Sequence, residues 1–301
     1  MLVANLLGEH SPKSFWSVFE RMDGYVTLVH WILLTVVLGS VLKDKRINFL
    51  GFKTTAWQVF FGAVMLASTF VVFTAMKQLA GLEVVTQGAS RINGTLGNAA
   101  YMAIYMLFMF GIVALAIVKS KSVGWRITYG ALAIIFTTLL LLTATRGTTL
   151  GFIGGVILAA LIVVLFEKRA VKMRRFAIGG IVSICLMFGG LWLAKDTSLF
   201  VFKGNNLAER LTTGISLSAL DTRLTIWGMA VEGVKERPIL GWGQGNFDYV
   251  FSKHYEPSLY RVEPWYDRAH NILFDWLIAG GILGALAYFS VLLVAFYYAG
   301  G

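Results

Sequence analysis

Of the 301 residues 57% are hydrophobic and 14% charged, and the mean hydropathy is +0.72, a balance that excludes an ordinary water-soluble domain. The formal net charge of +10 would point to nucleic acid in a soluble chain, but here the basic residues gather in short loops between apolar stretches and report membrane topology instead. The expected surroundings are therefore a lipid bilayer, with no nucleic-acid partner.

Residues 1–24 hold Pro12 and one short apolar run at 1–7, without the long apolar core of a signal peptide. They read as an external amino-terminal segment, the remnant of a longer protein. A hydrocarbon core of roughly 30 Å takes about 20 apolar residues of helix, which predicts spans at 25–42, 56–75, 99–118, 127–145, 148–166, 176–194 and 269–298. His30 lies in the first span with no charged partner in sequence and reads as a buried structural residue. The single cysteine, Cys185, falls inside an apolar span and reads as a small buried hydrophobe, leaving no internal disulfide.

Three loops fix the orientation. Lys43, Lys45, Arg46 and Lys53 lie in 43–53, Lys119, Lys121 and Arg126 in 119–126, and Lys168, Arg169, Lys172, Arg174 and Arg175 in 167–175. With alternating spans all three face one side, and the positive-inside rule makes that side the cytoplasm. The expected organisation is an all-α, polytopic bundle of about seven spans: an external segment at 1–24, six spans in 25–194, a largely helical periplasmic loop domain at 195–268, and a last transmembrane helix at 269–301.

The stretch 76–98 is too polar to span and has turn chemistry in Asn93-Gly94 and Gly97-Asn98. Within 195–268, Asp221-Thr222-Arg223 opens a helical pattern through Leu224, Trp227, Ala230, Val231 and Val234 that must end before Pro238. Such a helix can lie on the membrane with Trp227 among the headgroups. Gly241-Trp242-Gly243-Gln244-Gly245-Asn246-Phe247 follows as a glycine-punctuated loop, which lacks the lysine of a phosphate-binding loop and reads as a turn positioning Trp242 and Phe247.

Arg146 stands at the outer mouth of a tight helical hairpin, just before Gly147-Thr148-Thr149. Two readings apply: an arginine snorkelling to headgroups, or a guanidinium fork that binds a phosphate, aided by the next helix's amino-terminal end. His270, in Tyr266-Asp267-Arg268-Ala269-His270-Asn271, is either a polar interfacial residue or an imidazole able to accept a proton near neutral pH. As isolated residues, Arg223 and Arg91 read as solvated or surface cations. No metal-ligand cluster, nucleotide loop or Ser/His/Asp pattern stands out, so no cofactor is expected, and arginines must neutralise any phosphate handled.

Taken in order, Arg91-Ile92-Asn93-Gly94-Thr95-Leu96-Gly97-Asn98, Thr145-Arg146-Gly147-Thr148, Arg223-Leu224-Thr225-Ile226-Trp227, Arg237-Pro238-Ile239-Leu240-Gly241-Trp242-Gly243-Gln244-Gly245-Asn246-Phe247, Ala269-His270-Asn271 and the Gly280-Gly281 and Gly284 set resemble the O-antigen ligase superfamily. That superfamily also includes O-antigen polymerases and protein O-oligosaccharyltransferases. The resemblance covers roughly 85–295, and its members have more helices than seven. It implies a bacterial inner-membrane enzyme that moves a glycan from an undecaprenyl-diphosphate carrier to an acceptor hydroxyl at the periplasmic side, without metal or nucleotide. On that resemblance Arg146, Arg223 and Arg91 are the expected diphosphate ligands and His270 the expected base, in an inverting displacement. Trp242, Trp265 and Tyr266 are candidates for contact with sugar faces, or for interface anchoring. The acceptor is left open among lipid A core, another lipid-linked glycan and protein. A lipid-linked glycan flippase is the rival from another class, although that reading expects charged or broken helices at mid-membrane.

Overall fold

The computed structural model describes residues 1–301 except 20, 44–45, 50, 86–90, 167–170, 194–200, 203–204, 207–216, 262–264 and 301. The loop cations Lys45, Lys168 and Arg169 and, of the predicted 195–268 domain, residues 195–200, 203–204, 207–216 and 262–264 lie outside the described residues. The chain is an all-α polytopic membrane protein. Its described helices are α1 (Leu2–Leu6), α2 (Ser11–Trp16), α3 (Tyr25–Leu42), α4 (Ala56–Leu79), α5 (Ala99–Lys119), α6 (Val123–Leu142), α7 (Arg146–Phe166), α8 (Val171–Leu193), α9 (Leu217–Glu236), α10 (Phe247–Lys253) and α11 (Ile272–Gly300). Among the described residues six of these, α3, α4, α5, α6, α7 and α11, are long and apolar enough to cross a membrane. Helix α8 overlaps the predicted span 176–194.

Two short hairpins interrupt the helices. Strand β1 (Arg46–Phe49) pairs antiparallel with β2 (Phe52–Thr55) where the sequence suggested only a basic loop, and β3 (Val201–Phe202) pairs with β4 (Asn205–Asn206). Gly51 adopts φ 84° at the first turn, a conformation that costs glycine little. Thr55 then caps α4: its hydroxyl accepts the Gln58 N–H while the Gln58 side chain accepts the Thr55 N–H, a reciprocal capping box.

The residues form two compact units, Met1–Lys43 with Ile215–Gly301, and Asp44–Gly214. In the second, α5 presents Met102, Met106, Met109 and Val113 at four- and three-residue spacing, all fully buried against Phe136, Leu139 and Leu140 of α6 and Val71 and Ala75 of α4. That stripe is the helical repeat expected of a helix packing one face on its neighbours. In the first unit, Ile226, Met229 and Ala230 of α9 pack with Trp242, Phe247, Val250, Phe251, Leu259, Tyr266, Ala269 and Ile278.

Helix α11 is broken at Gly281 (φ 62°, ψ −162°), and the break is filled by the glycine-rich loop. The Trp242 N–H donates to the Ile278 carbonyl at 2.7 Å, and the Ile282 N–H donates to the Pro238 carbonyl at 2.8 Å. Polar groups that an unbroken helix would satisfy internally are thus satisfied by the loop, as a low-dielectric setting demands. The approach leaves no room for side chains: a Cβ on Gly281 would lie 2.2 Å from the Ile239 carbonyl, and one on Gly241 (φ 68°) would lie 2.4 Å from the Ile278 oxygen.

The amino-terminal segment is knitted into the same loop. Asn5 and Gln244 exchange two hydrogen bonds of 2.8 Å, the Glu9 N–H donates to the Trp242 carbonyl, and the Asn246 amide donates to the Ser14 hydroxyl at 3.0 Å. Two expectations are corrected here. His30 is exposed on α3, its ring Nδ1 2.7 Å from the Val26 carbonyl, because α3 has no buried residue. Cys185 is likewise exposed, on α8. In a membrane, apolar helix faces turned away from the protein are stable without burial in a protein core, so an apolar sequence alone does not place a residue inside.

Candidate functional site

His270 sits in the turn that launches α11. Asn271 caps that helix, its side-chain oxygen accepting the Leu273 N–H at 3.0 Å, the task for which asparagine is favoured at such a position. The preceding His270 takes φ 53°, a left-handed conformation uncommon for a residue with a Cβ. Its imidazole is exposed, with the Tyr266 ring edge-on at a centroid distance of 5.9 Å. Ala269, fully buried, is held on both sides: its N–H donates to Asp275 Oδ1 at 2.9 Å, and its carbonyl accepts the Trp227 indole N–H at 3.0 Å.

Trp227 belongs to α9 and lies four residues after Arg223, so the two share a helix face. Arg223 is exposed. The Trp227 side chain is partly buried against the core, with its ring 6.0 Å from Phe274.

Just upstream, Asp267 receives a bidentate pair from Arg21 at 2.6 and 2.9 Å, and Arg268 pairs with Asp23. Burial, with the like charge of Arg21 adding to it, pulls the Arg268 guanidinium below its ordinary range, while Asp275 opposes that pull. A cavity of about 350 Å³ opens here, lined among others by Asp23, Asp267, Arg268 and Asp275, with Trp31 and Trp276 supplying aromatic walls.

The three aromatic candidates differ in access. Trp242 is 4% exposed: its indole N–H donates to the Gly233 carbonyl at 2.8 Å, and the Arg237 guanidinium lies 4.2 Å over its ring. Tyr266 is 7% exposed, in the same core. Trp265, 54% exposed, keeps an open ring.

In the other unit, Arg146 is the first residue of α7 and is exposed. The turn before it, Thr143-Ala144-Thr145, is tight, with Ala144 at φ 51°. Arg91 braces that turn: its Nε donates to the Thr143 carbonyl at 2.9 Å and its terminal nitrogen to the Thr145 hydroxyl at 2.7 Å. Arg91 is in turn anchored by its own neighbours. Buried Gln78 of α4 accepts the Asn93 and Gly94 N–H groups through Oε1, at 3.1 and 3.0 Å, and donates to the Asn93 side chain at 2.8 Å. Arg91, expected as a diphosphate ligand, is thus also a support of the turn that presents Arg146.

Sequence reasoning passed over Asp275, Gln78, Arg21 and Asp23. Asp275 and Gln78 do leave a signal, each being an isolated polar residue in an apolar run, where an unpartnered polar group is expensive. Arg21 and Asp23 leave none, since their partners lie more than 240 residues along the chain.

In comparison with known proteins, the family profile described as O-antigen ligase matches residues 131–289, just over half of the chain. No curated protein matches the chain.

Proposed function

The chain belongs to the O-antigen ligase family, a family of ligase- and polymerase-type membrane glycosyltransferases, and on that premise we propose that it transfers a glycan from an undecaprenyl-diphosphate carrier to a hydroxyl of lipid A core, at the periplasmic face of a bacterial inner membrane. Arg146 and Arg223 hold the diphosphate of the donor, with Arg91 supporting Arg146 and adding to the positive field. Guanidinium forks match phosphate oxygens in pairs and stabilise the charge that grows on the departing diphosphate. His270 accepts the proton of the acceptor hydroxyl as its oxygen attacks the anomeric carbon. The bond from that carbon to the diphosphate oxygen breaks as the new glycosidic bond forms, the lipid diphosphate departs with one more negative charge than it carried in the donor, matched by the proton held on His270, and one displacement inverts the centre. Trp265 offers the exposed ring on which a sugar face can stack.

The observation that supports this reading best is that the matched residues 131–289 contain Arg146, Arg223 and His270 together. The bond from Trp227 to Ala269 adds to it, joining the helix of Arg223 to the turn of His270. Incubation of membranes with a labelled lipid-linked donor and, separately, lipid A core, a second lipid-linked glycan or a protein acceptor tests it. Product on lipid A core is expected. Product only on the second glycan or on protein would move the assignment to a polymerase or a protein oligosaccharyltransferase, and carrier translocation without a new glycosidic bond would favour a flippase. In the same assay Arg146→Lys should lose most activity, because a point charge cannot reproduce the two-pronged contact.

A further inference from the structure

We infer that Asp275 and Trp227 are positioning residues for His270, acting through the two peptide units that flank Ala269, one held by each side chain. The inference rests on the proposed role of His270 as base. Ala269 is fully buried and has no side chain beyond a methyl group to anchor it. Its backbone polar groups face two different helices: the N–H reaches Asp275 Oδ1 on α11 at 2.9 Å, and the carbonyl takes the Trp227 indole N–H from α9 at 3.0 Å. Both are side-chain contacts to a backbone that no regular secondary structure holds at that point, so the turn has its geometry imposed from outside.

The consequence falls on the next residue. His270 is held at φ 53°, a region that costs a side-chain-bearing residue energy and persists only where the surroundings over-determine it. Asp275 sits one helical turn beyond the Asn271 cap and is itself tied to it, its N–H donating to the Asn271 carbonyl at 2.8 Å. The carboxylate therefore closes a loop from the first turn of α11 back over His270. Trp227 closes a second loop to the helix that bears Arg223, four residues earlier on the same face. Removing either grip frees the imidazole to move by the ångström or so that typically costs about 100-fold in rate.

An oxygen acceptor is what Asp275 supplies, so Asp275→Asn keeps it and Asp275→Ala deletes it, while Trp227→Phe keeps a ring and deletes the donor. The full-length protein in membranes is assayed with a labelled lipid-linked donor, and kcat and donor KM are determined separately. Expected are a fall of at least about tenfold in kcat with little change in KM for Asp275→Ala and Trp227→Phe, and recovery to within about threefold of the parent for Asp275→Asn. Full kcat in both Asp275→Ala and Trp227→Phe overturns the inference. So does an inactive Asp275→Asn of normal abundance, which would make the charge itself the requirement. His270→Ala is run alongside: activity there defeats the base assignment, whereas an inactive His270→Ala with active Asp275→Ala defeats the positioning role alone.

Discussion

At the scale of single residues, the candidate site rests on side chains that each tie together backbone and side-chain groups of a turn. Arg91 is the example in the helical hairpin: two of its guanidinium nitrogens reach the Thr143 carbonyl and the Thr145 hydroxyl, a geometry that a lysine ammonium cannot span. Arg91→Lys should leave the buried Thr143 poorly satisfied, at a cost of about 1–3 kcal/mol, and should lower transfer through a misplaced Arg146. Thermal unfolding of the detergent-solubilised variant beside its transfer rate checks both effects; unchanged stability with lost transfer would make Arg91 a direct diphosphate ligand only. Trp242 is the corresponding residue in the glycine-rich loop. Buried, bonded to Gly233 and covered by Arg237, it should cost about 3–5 kcal/mol on truncation to alanine, seen as a large fall in melting temperature.

At the scale of elements, the insertion of the loop at 238–242 into the break of α11 is the feature that shapes the first unit. A methyl group on Gly281 would collide with backbone at Ile239, and backbone cannot swing aside as a side chain can. Gly281→Ala should therefore expel the loop, leave the Ile278 carbonyl and Ile282 N–H unpaired, and lower both the melting temperature and transfer; a parent-like melting temperature would argue against the splice. The helices themselves were legible from apolar run length, and the α9 pattern from Leu224 to Val234 ends before Pro238 as proline requires. What was not legible was the side each residue faces. An apolar helix wetted by lipid looks in sequence like one in a protein core, so the run that holds His30 or Cys185 does not say that either is exposed. The β1–β2 hairpin is hidden because its strands are only four residues each, too short for an alternating pattern to stand out among the basic residues.

At the scale of the whole molecule, charge and long-range pairing set different properties. The basic loops predict orientation: in a Cys185→Ser background, a cysteine placed at Lys121 should react with an impermeant thiol reagent only from the cytoplasmic side, and one at Trp265 only from the periplasmic side. The opposite pattern would reverse the proposed topology. Ion pairs do other work in the unit built from the two chain ends, where Lys13 meets Asp248 at 2.7 Å, Arg21 meets Asp267, and Asp23 meets Arg268. Each such pair on a partly exposed surface is worth little alone; the first ties the amino-terminal segment to α10, and the other two tie it to the residues just before His270. The candidates could be named from the sequence: Arg146 and His270 by their places at span boundaries, Arg223 through the resemblance alone. Pairings between residues far apart in sequence, Arg21 with Asp267 and Asp23 with Arg268, leave no such mark.

In the proposed reaction the imidazole of His270 takes the acceptor's proton. Membranes containing His270→Ala at parent abundance, given labelled lipid-linked donor and lipid A core, should show transfer reduced by about 10²–10⁴-fold. Transfer at the parent rate would contradict the claim.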